Sequence, residues 1–173
     1  MEKFSNSVVL PEELPQLQPA PFQGLNRRYL TILYVRIAIV FLFLTGGFIA
    51  YLFFLEENFS PVVSYLIAAG IVLISAFLVV ITKLGFPRKG YLVREKDVSY
   101  QRGLITYSVT SVPLNRIQHV ELSQGVLAKM LDLSAVKIYT AGGTSSDLAI
   151  PGLHAEEARK LKAHLSDKIN EHE

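Results

Sequence analysis

The chain contains no cysteine and no tryptophan in 173 residues, and only 18% of its residues are charged. The missing thiol excludes a disulfide scaffold, thiolate-bound metals, thiol catalysis and redox relays together. A water-soluble globule carries about a quarter charged residues, so part of this chain avoids water. An apolar fraction of 50% and a mean hydropathy of +0.34 point the same way. The formal net charge of +2 speaks against a nucleic-acid protein coated in Lys and Arg.

What the chain has instead is two long uncharged runs. The nineteen residues between Arg36 and Glu56 and the twenty-five between Glu57 and Lys83 carry no charge. A bilayer core of about 30 Å is crossed by about 20 helical residues, and in lipid a segment must satisfy its own backbone polar groups, which makes both runs helices. Neither has the polar face of a soluble amphipathic helix. The spans fall at about 37–55 and 61–82, in a membrane region 31–83 between a Pro-rich arm (1–30) and a water-soluble domain (90–170). The first run lies behind PEELPQLQPAPF and exceeds the apolar core of a secretory signal, about 7–15 residues, so it reads as permanent.

Charge placement orients the pair. Arg27, Arg28 and Arg36 precede the first span, Lys83, Arg88, Lys89 and Arg94 follow the second, and the connecting Glu56–Ser60 has no Lys or Arg. Basic flanks stay in the cytoplasm, which predicts a hairpin with both termini inside. Gly46, Gly47, Ala50, Ser64, Ala68 and Ser75 let helix backbones approach closely, either within the hairpin or toward another membrane protein. No Asp, Glu, Lys, Arg or His lies inside either run, which argues against ion or substrate transport by a single copy.

From about Gly90 the pattern turns β. Tyr91, Val93, Val98 and Tyr100 alternate with polar residues, and Arg102-Gly103 marks a hairpin turn. Ile105-Tyr107-Val109 alternates against Thr106-Ser108-Thr110, predicting a half-buried strand over 105–112 that Pro113 ends. Alternation slips between Ile117 and Val120, predicting a bulge. Val126, Leu127, Met130 and Leu131 fit a short helical turn. Strands resume at Val136-Ile138-Thr140 and Leu148–Ile150, around an Ala141-Gly142-Gly143 turn. Ala158, Leu161, Leu165 and Ile169 form the stripe of a closing amphipathic helix.

The stretch VPLNRIQHVE from Val112, then QGVL from Gln124 and LSAVKIYTAGG from Leu133, resembles the bacterial pleckstrin-homology-like (PH-like) domain membrane proteins of the YdbS-like family. The resemblance covers about residues 25 to 170, two preceding helices included. It implies a membrane α-helical hairpin plus a mainly-β PH-like domain: a seven-stranded antiparallel barrel or sandwich capped by a C-terminal helix, on the inner face of the bacterial cytoplasmic membrane. It supplies no enzymatic activity and no catalytic residues.

The residues agree that chemistry is scarce. His154 and His164 lack an HExxH-type partner, no Ser stands in G-x-S-x-G, and Gly142-Gly143-Thr144-Ser145 lacks the Lys of a phosphate loop. The expectation is therefore no catalytic, metal or cofactor site and a non-enzymatic interaction or scaffold module, with the bilayer and either itself or another PH-like-domain membrane protein as partners. Arg116, Gln118 and His119 either anchor a strand junction by hydrogen bonds or face a partner. Lys83, Arg88, Lys89 and Arg94 are candidate contacts for anionic lipid, though topology alone demands positive flanks. The alternatives are an anionic-lipid-binding module, an envelope-stress or antimicrobial-peptide resistance factor, and a transporter subunit.

Overall fold

The computed structural model describes residues 21–54, 60–141 and 147–170. Helices α1 (Arg28–Phe54) and α2 (Pro61–Gly85) form an antiparallel hairpin, and a 3-10 turn at Phe86–Arg88 leads into the β-domain. Its strands are β1 (Gln23–Gly24), β2 (Gly90–Val93), β3 (Asp97–Arg102), β4 (Ser108–Pro113), β5 (Ile117–Ser123), β6 (Leu133–Thr140) and β7 (Leu148–His154). Helix α3 (Val126–Met130) bridges β5 and β6, and α4 (Ala155–Asn170) closes the domain.

The first helix begins where Asn26 Oδ1 accepts the Arg28 backbone N–H at 2.9 Å, satisfying one of the donors a helix start leaves open. Its opening turns belong to the domain: Ile32 is buried, and the Tyr29 ring lies against Gly152 of β7. The sequence places the span from residue 37, yet the helix starts nine residues earlier, because Arg36 interrupts the apolar run without interrupting the helix. Ile37–Phe54, eighteen residues, is about 27 Å long at 1.5 Å per residue. The apolar windows of α1 and α2 have no residue buried inside the protein, the surface a lipid environment requires. Ser75 Oγ donates to Ile71 O at 2.8 Å, so its hydroxyl is satisfied within α2.

The strands pair antiparallel in two sheets, ordered β1-β2-β3-β4 and β5-β6-β7. Val98, Tyr100 and Val112 from the first sheet and Val136, Ile138, Ile150 and Leu153 from the second share one core. Ala158, Leu161 and Leu165 of α4 close it, on the predicted stripe. Each fully buried Leu or Ile contributes about 1.5–3 kcal/mol over exposure. The register shift in β5 falls between Ile117 and His119, inside the stretch where alternation slips. Ala141 and Asp147 flank the Gly142–Ser146 segment, which lies outside the described residues, as do the Pro-rich arm to residue 20 and the outer loop from Leu55 to Phe59.

The structure corrects the expected 105–112 strand. Pairing begins at Ser108, and Ile105, Tyr107 and Val109 are exposed. The cause is parity. Register pairs Val98 with Val112 and Tyr100 with Thr110, turning the even-numbered residues of β4 to the core and the odd-numbered ones outward. Gly103, at φ +117°, makes the turn; a Cβ there would lie 1.8 Å from Thr106 O.

The segment ahead of the hairpin is woven into the same sheet. Gln23 and Gly24 pair with Tyr91 and Gly90, Leu25 is buried, and the Asn26 N–H donates to Gly152 O at 3.0 Å. The polypeptide therefore enters and leaves the membrane from adjacent strands.

Candidate functional site

Three surfaces meet where the hairpin joins the domain. The first is an apolar groove between the helices, of about 520 Å³, with Tyr34, Ala38 and Phe41 on one wall and Val72, Ala76 and Val79 on the other. Ser64, Ala68 and Ser75 of α2 are half-buried, at the spacing of a face turned to α1. Gly46 and Gly47 do not share that contact: an added Cβ would meet nothing within 4 Å at either. These two glycines open onto the outer surface of the hairpin.

The second surface is a cleft of about 290 Å³ between the base of α1 and the domain, lined by Tyr29, Ile32 and Arg36 on one side and Gly125–Ala128 on the other. Arg36, exposed at the entrance to the span, is one residue that spacing alone did not single out as part of a site.

The third is basic. Lys83 is exposed in the last turn of α2, and Arg88 Nη1 donates to Leu104 O at 3.2 Å, tying the β3–β4 turn to the helix end. Lys89 is half-buried; burial, with Arg102 nearby, pushes its ammonium pKa down. The structure thus gathers Lys83, Arg88 and Lys89 at the end of α2 and adds Arg102. The sequence marks Arg102 only as part of a turn, because the cations beside it come from the end of α2 and not from its own hairpin. Arg94 stands apart, at the other end of β2, where Asp97 accepts its Nε–H at 2.7 Å and a second guanidinium N–H. That pairing, with the Ser99 hydroxyl, holds the Asp97 carboxyl below the usual carboxylate range.

Arg116, Gln118 and His119 lie together at the β4–β5 junction, and all three are exposed. Their backbone positions follow from the bulge that breaks inward–outward alternation between Ile117 and His119. The His119 ring stacks on Tyr139 at 4.2 Å and 11°. Tyr139 Oη donates to Glu121 at 2.8 Å and Lys137 lies 3.5 Å from the same carboxylate. Tyr139 first, then Lys137, hold the Glu121 pKa below its ordinary value. Among the described residues there is no cluster of three His, Asp or Glu side chains able to hold a metal ion; His154 meets Asp132 alone at 2.9 Å.

The family model described as "Bacterial PH domain" matches residues 28–169. The chain belongs to the bacterial PH domain family. The matched segment opens on the first residue of α1 and closes in the last turn of α4, so this bacterial PH domain comprises the hairpin as well as the sheets. The chain is also similar to the transmembrane protein YdbS of Bacillus subtilis (strain 168), 41% identical over 76 residues. That alignment covers 44% of this chain and 46% of the relative, so it spans just under half of the curated protein. No solved structure matches the chain. The protein is thus a transmembrane protein with a bacterial PH domain, and the family is a PH-like membrane-protein family rather than a known enzyme family.

Proposed function

We propose that this bacterial PH domain protein is a non-enzymatic assembly module of the cytoplasmic membrane, with both termini inside, joining copies of itself or another PH-like-domain membrane protein. The observation that carries the reading is the continuity of α1: one helix has Ile32 in the domain and Phe41 in the intramembrane groove. A contact made in the bilayer and a contact made on the domain are therefore held in fixed register. Small side chains in the groove, Ala38 and Ala76, allow close approach of a further helix. Exposed Arg116, Gln118 and His119 offer a polar surface outside the bilayer. Confinement to one membrane raises effective concentration, so weak contacts suffice. The basic flanks of the spans support the inside placement of the domain.

The test is affinity purification from gently solubilised native membranes, comparing the natural chain with Ala76→Leu, which fills the groove from the lipid side. The natural chain should emerge as an oligomer or with a membrane partner in fixed proportion, and Ala76→Leu should lose it while still inserting. A single monodisperse copy of the natural chain, in membranes and after solubilisation, refutes the proposal.

A further inference from the structure

Two apolar patches of the β-domain face solvent where a soluble domain has no use for them. At the β3–β4 turn Ile105 is 83% exposed and Tyr107 65%; on α3 Val126 is 79% exposed and Met130 77%. The last two stand four residues apart, hence on one face of their helix. Both patches adjoin the membrane helices. The Leu104 Cβ lies 3.5 Å from where a Cβ on Gly85 would stand, and Gly85 is three residues past Thr82, about 4.5 Å along the axis. Val126 lines the same cleft as Ile32 and Arg36, one residue before the first span. The turn and the short helix are therefore level with the ends of the two spans, where amphipathic elements bury apolar side chains about 5–10 Å into the boundary between headgroups and acyl chains.

Charge is sorted to match. Residues 83–94, 98–120 and 122–131, which include both patches, contain no Asp or Glu. The cations there include Lys83, Arg88, Lys89, Arg102 and Lys129. Topology demands positive residues beside a span, but it does not demand exposed isoleucine and valine next to them, or the exclusion of carboxylates from β2, β4 and α3.

We infer that the Gly103–Tyr107 turn and the Val126/Met130 face of α3 are membrane wedges. They seat the domain in the adjoining leaflet while Lys83, Arg88, Lys89 and Arg102 hold anionic phospholipid headgroups. The occupant is lipid rather than a protein because both patches continue the lipid-facing surface of the hairpin and, among the described residues, none of Lys83, Arg88, Lys89 and Arg102 is ion-paired with a carboxylate. This goes beyond the assembly reading and does not depend on it.

The natural absence of cysteine makes the test direct. Ile105→Cys, Val126→Cys and, as a control at the far end of β2, Glu95→Cys are each nitroxide-labelled in the full chain. The chain is reconstituted in vesicles of equal parts phosphatidylglycerol and phosphatidylcholine. Labels at 105 and 126 should collide more with oxygen, which enters acyl chains, than with a water-soluble nickel chelate, and the label at 95 should do the reverse. Nickel access at 105 and 126 equal to that at 95 overturns the inference, and so does loss of access to both reagents, the mark of a protein cover. In the same vesicles, enrichment of spin-labelled phosphatidylglycerol over phosphatidylcholine around the protein should fall by up to about fivefold for each of Lys83→Gln and Arg102→Gln. Unchanged enrichment in both variants removes the anionic-headgroup part.

Discussion

Gly152 is where the domain grips the first membrane helix, and replacing it with alanine tests that joint. Its φ of +68° is a left-handed conformation that costs a residue with a Cβ about 1–2 kcal/mol. The new methyl carbon would also stand 2.5 Å from Tyr29 Cγ and 2.6 Å from Tyr29 Cβ. Those atoms are the near end of a side chain fixed by its helix, so relief requires α1 to shift; overpacking of this kind costs about 1–3 kcal/mol. Together Gly152→Ala should lose about 2–5 kcal/mol, a large share of the about 5–15 kcal/mol that holds a domain together. Because Tyr29 Cβ takes part in the collision, the partner variant is Tyr29→Gly rather than alanine. In that background the collision disappears and the same substitution should cost only the backbone part, about 1–2 kcal/mol, leaving a coupling of about 1–3 kcal/mol. Pulse proteolysis in urea, on the full chain in micelles, measures all four species. A loss under about 0.5 kcal/mol, or the same loss with and without the Tyr29 ring, refutes the reasoning.

Further predictions follow from the core and the exposed sites. Ile138→Ala, at a fully buried position of β6, should cost about 2–5 kcal/mol in the same denaturation assay. Burial pushes the Tyr100 hydroxyl up to about 12, and burial together with Glu157 raises that of Tyr91. A raised folded-state pKa means that this stability is complete below the unfolded tyrosine value near 10 and is lost as pH climbs from there toward about 12. Alkaline titration should therefore show late tyrosinate absorbance that appears together with loss of the β circular dichroism signal. Replacing Arg116 and Gln118 with alanine should leave stability within about 0.5 kcal/mol, since both are exposed; under the assembly reading, the yield of co-purifying partner falls.

The spans were legible because a long uncharged segment in hydrocarbon satisfies its own backbone only as a helix, and the closing helix because its stripe recurs at helical spacing. The bulge before His119 was legible as broken alternation. Three features were not. Gln23–Gly24 is too short to have a period, so its place beside β2 depends on a partner strand more than sixty residues away. Ile105, Tyr107 and Val109 alternate as a buried strand does, but Val112 has the opposite parity and its pairing with Val98 decides which set faces inward. Arg102 joins the basic group only because the β3–β4 turn folds back onto the end of α2, a contact between residues sixteen apart that local pattern does not encode. Arg116, Gln118 and His119 stood out as a cluster of polar types, and their position at a junction follows from the register of β5.

A helix that starts inside a domain and ends across a bilayer acts as a shaft. Membranes thinner than the apolar length of a helix are accommodated by tilt, and with Ile32 and Tyr29 locked into the β-layers, any lean of the shaft swings the whole domain through the same angle. Bilayer thickness thereby becomes a mechanical input that sets the angle of the domain against the membrane surface.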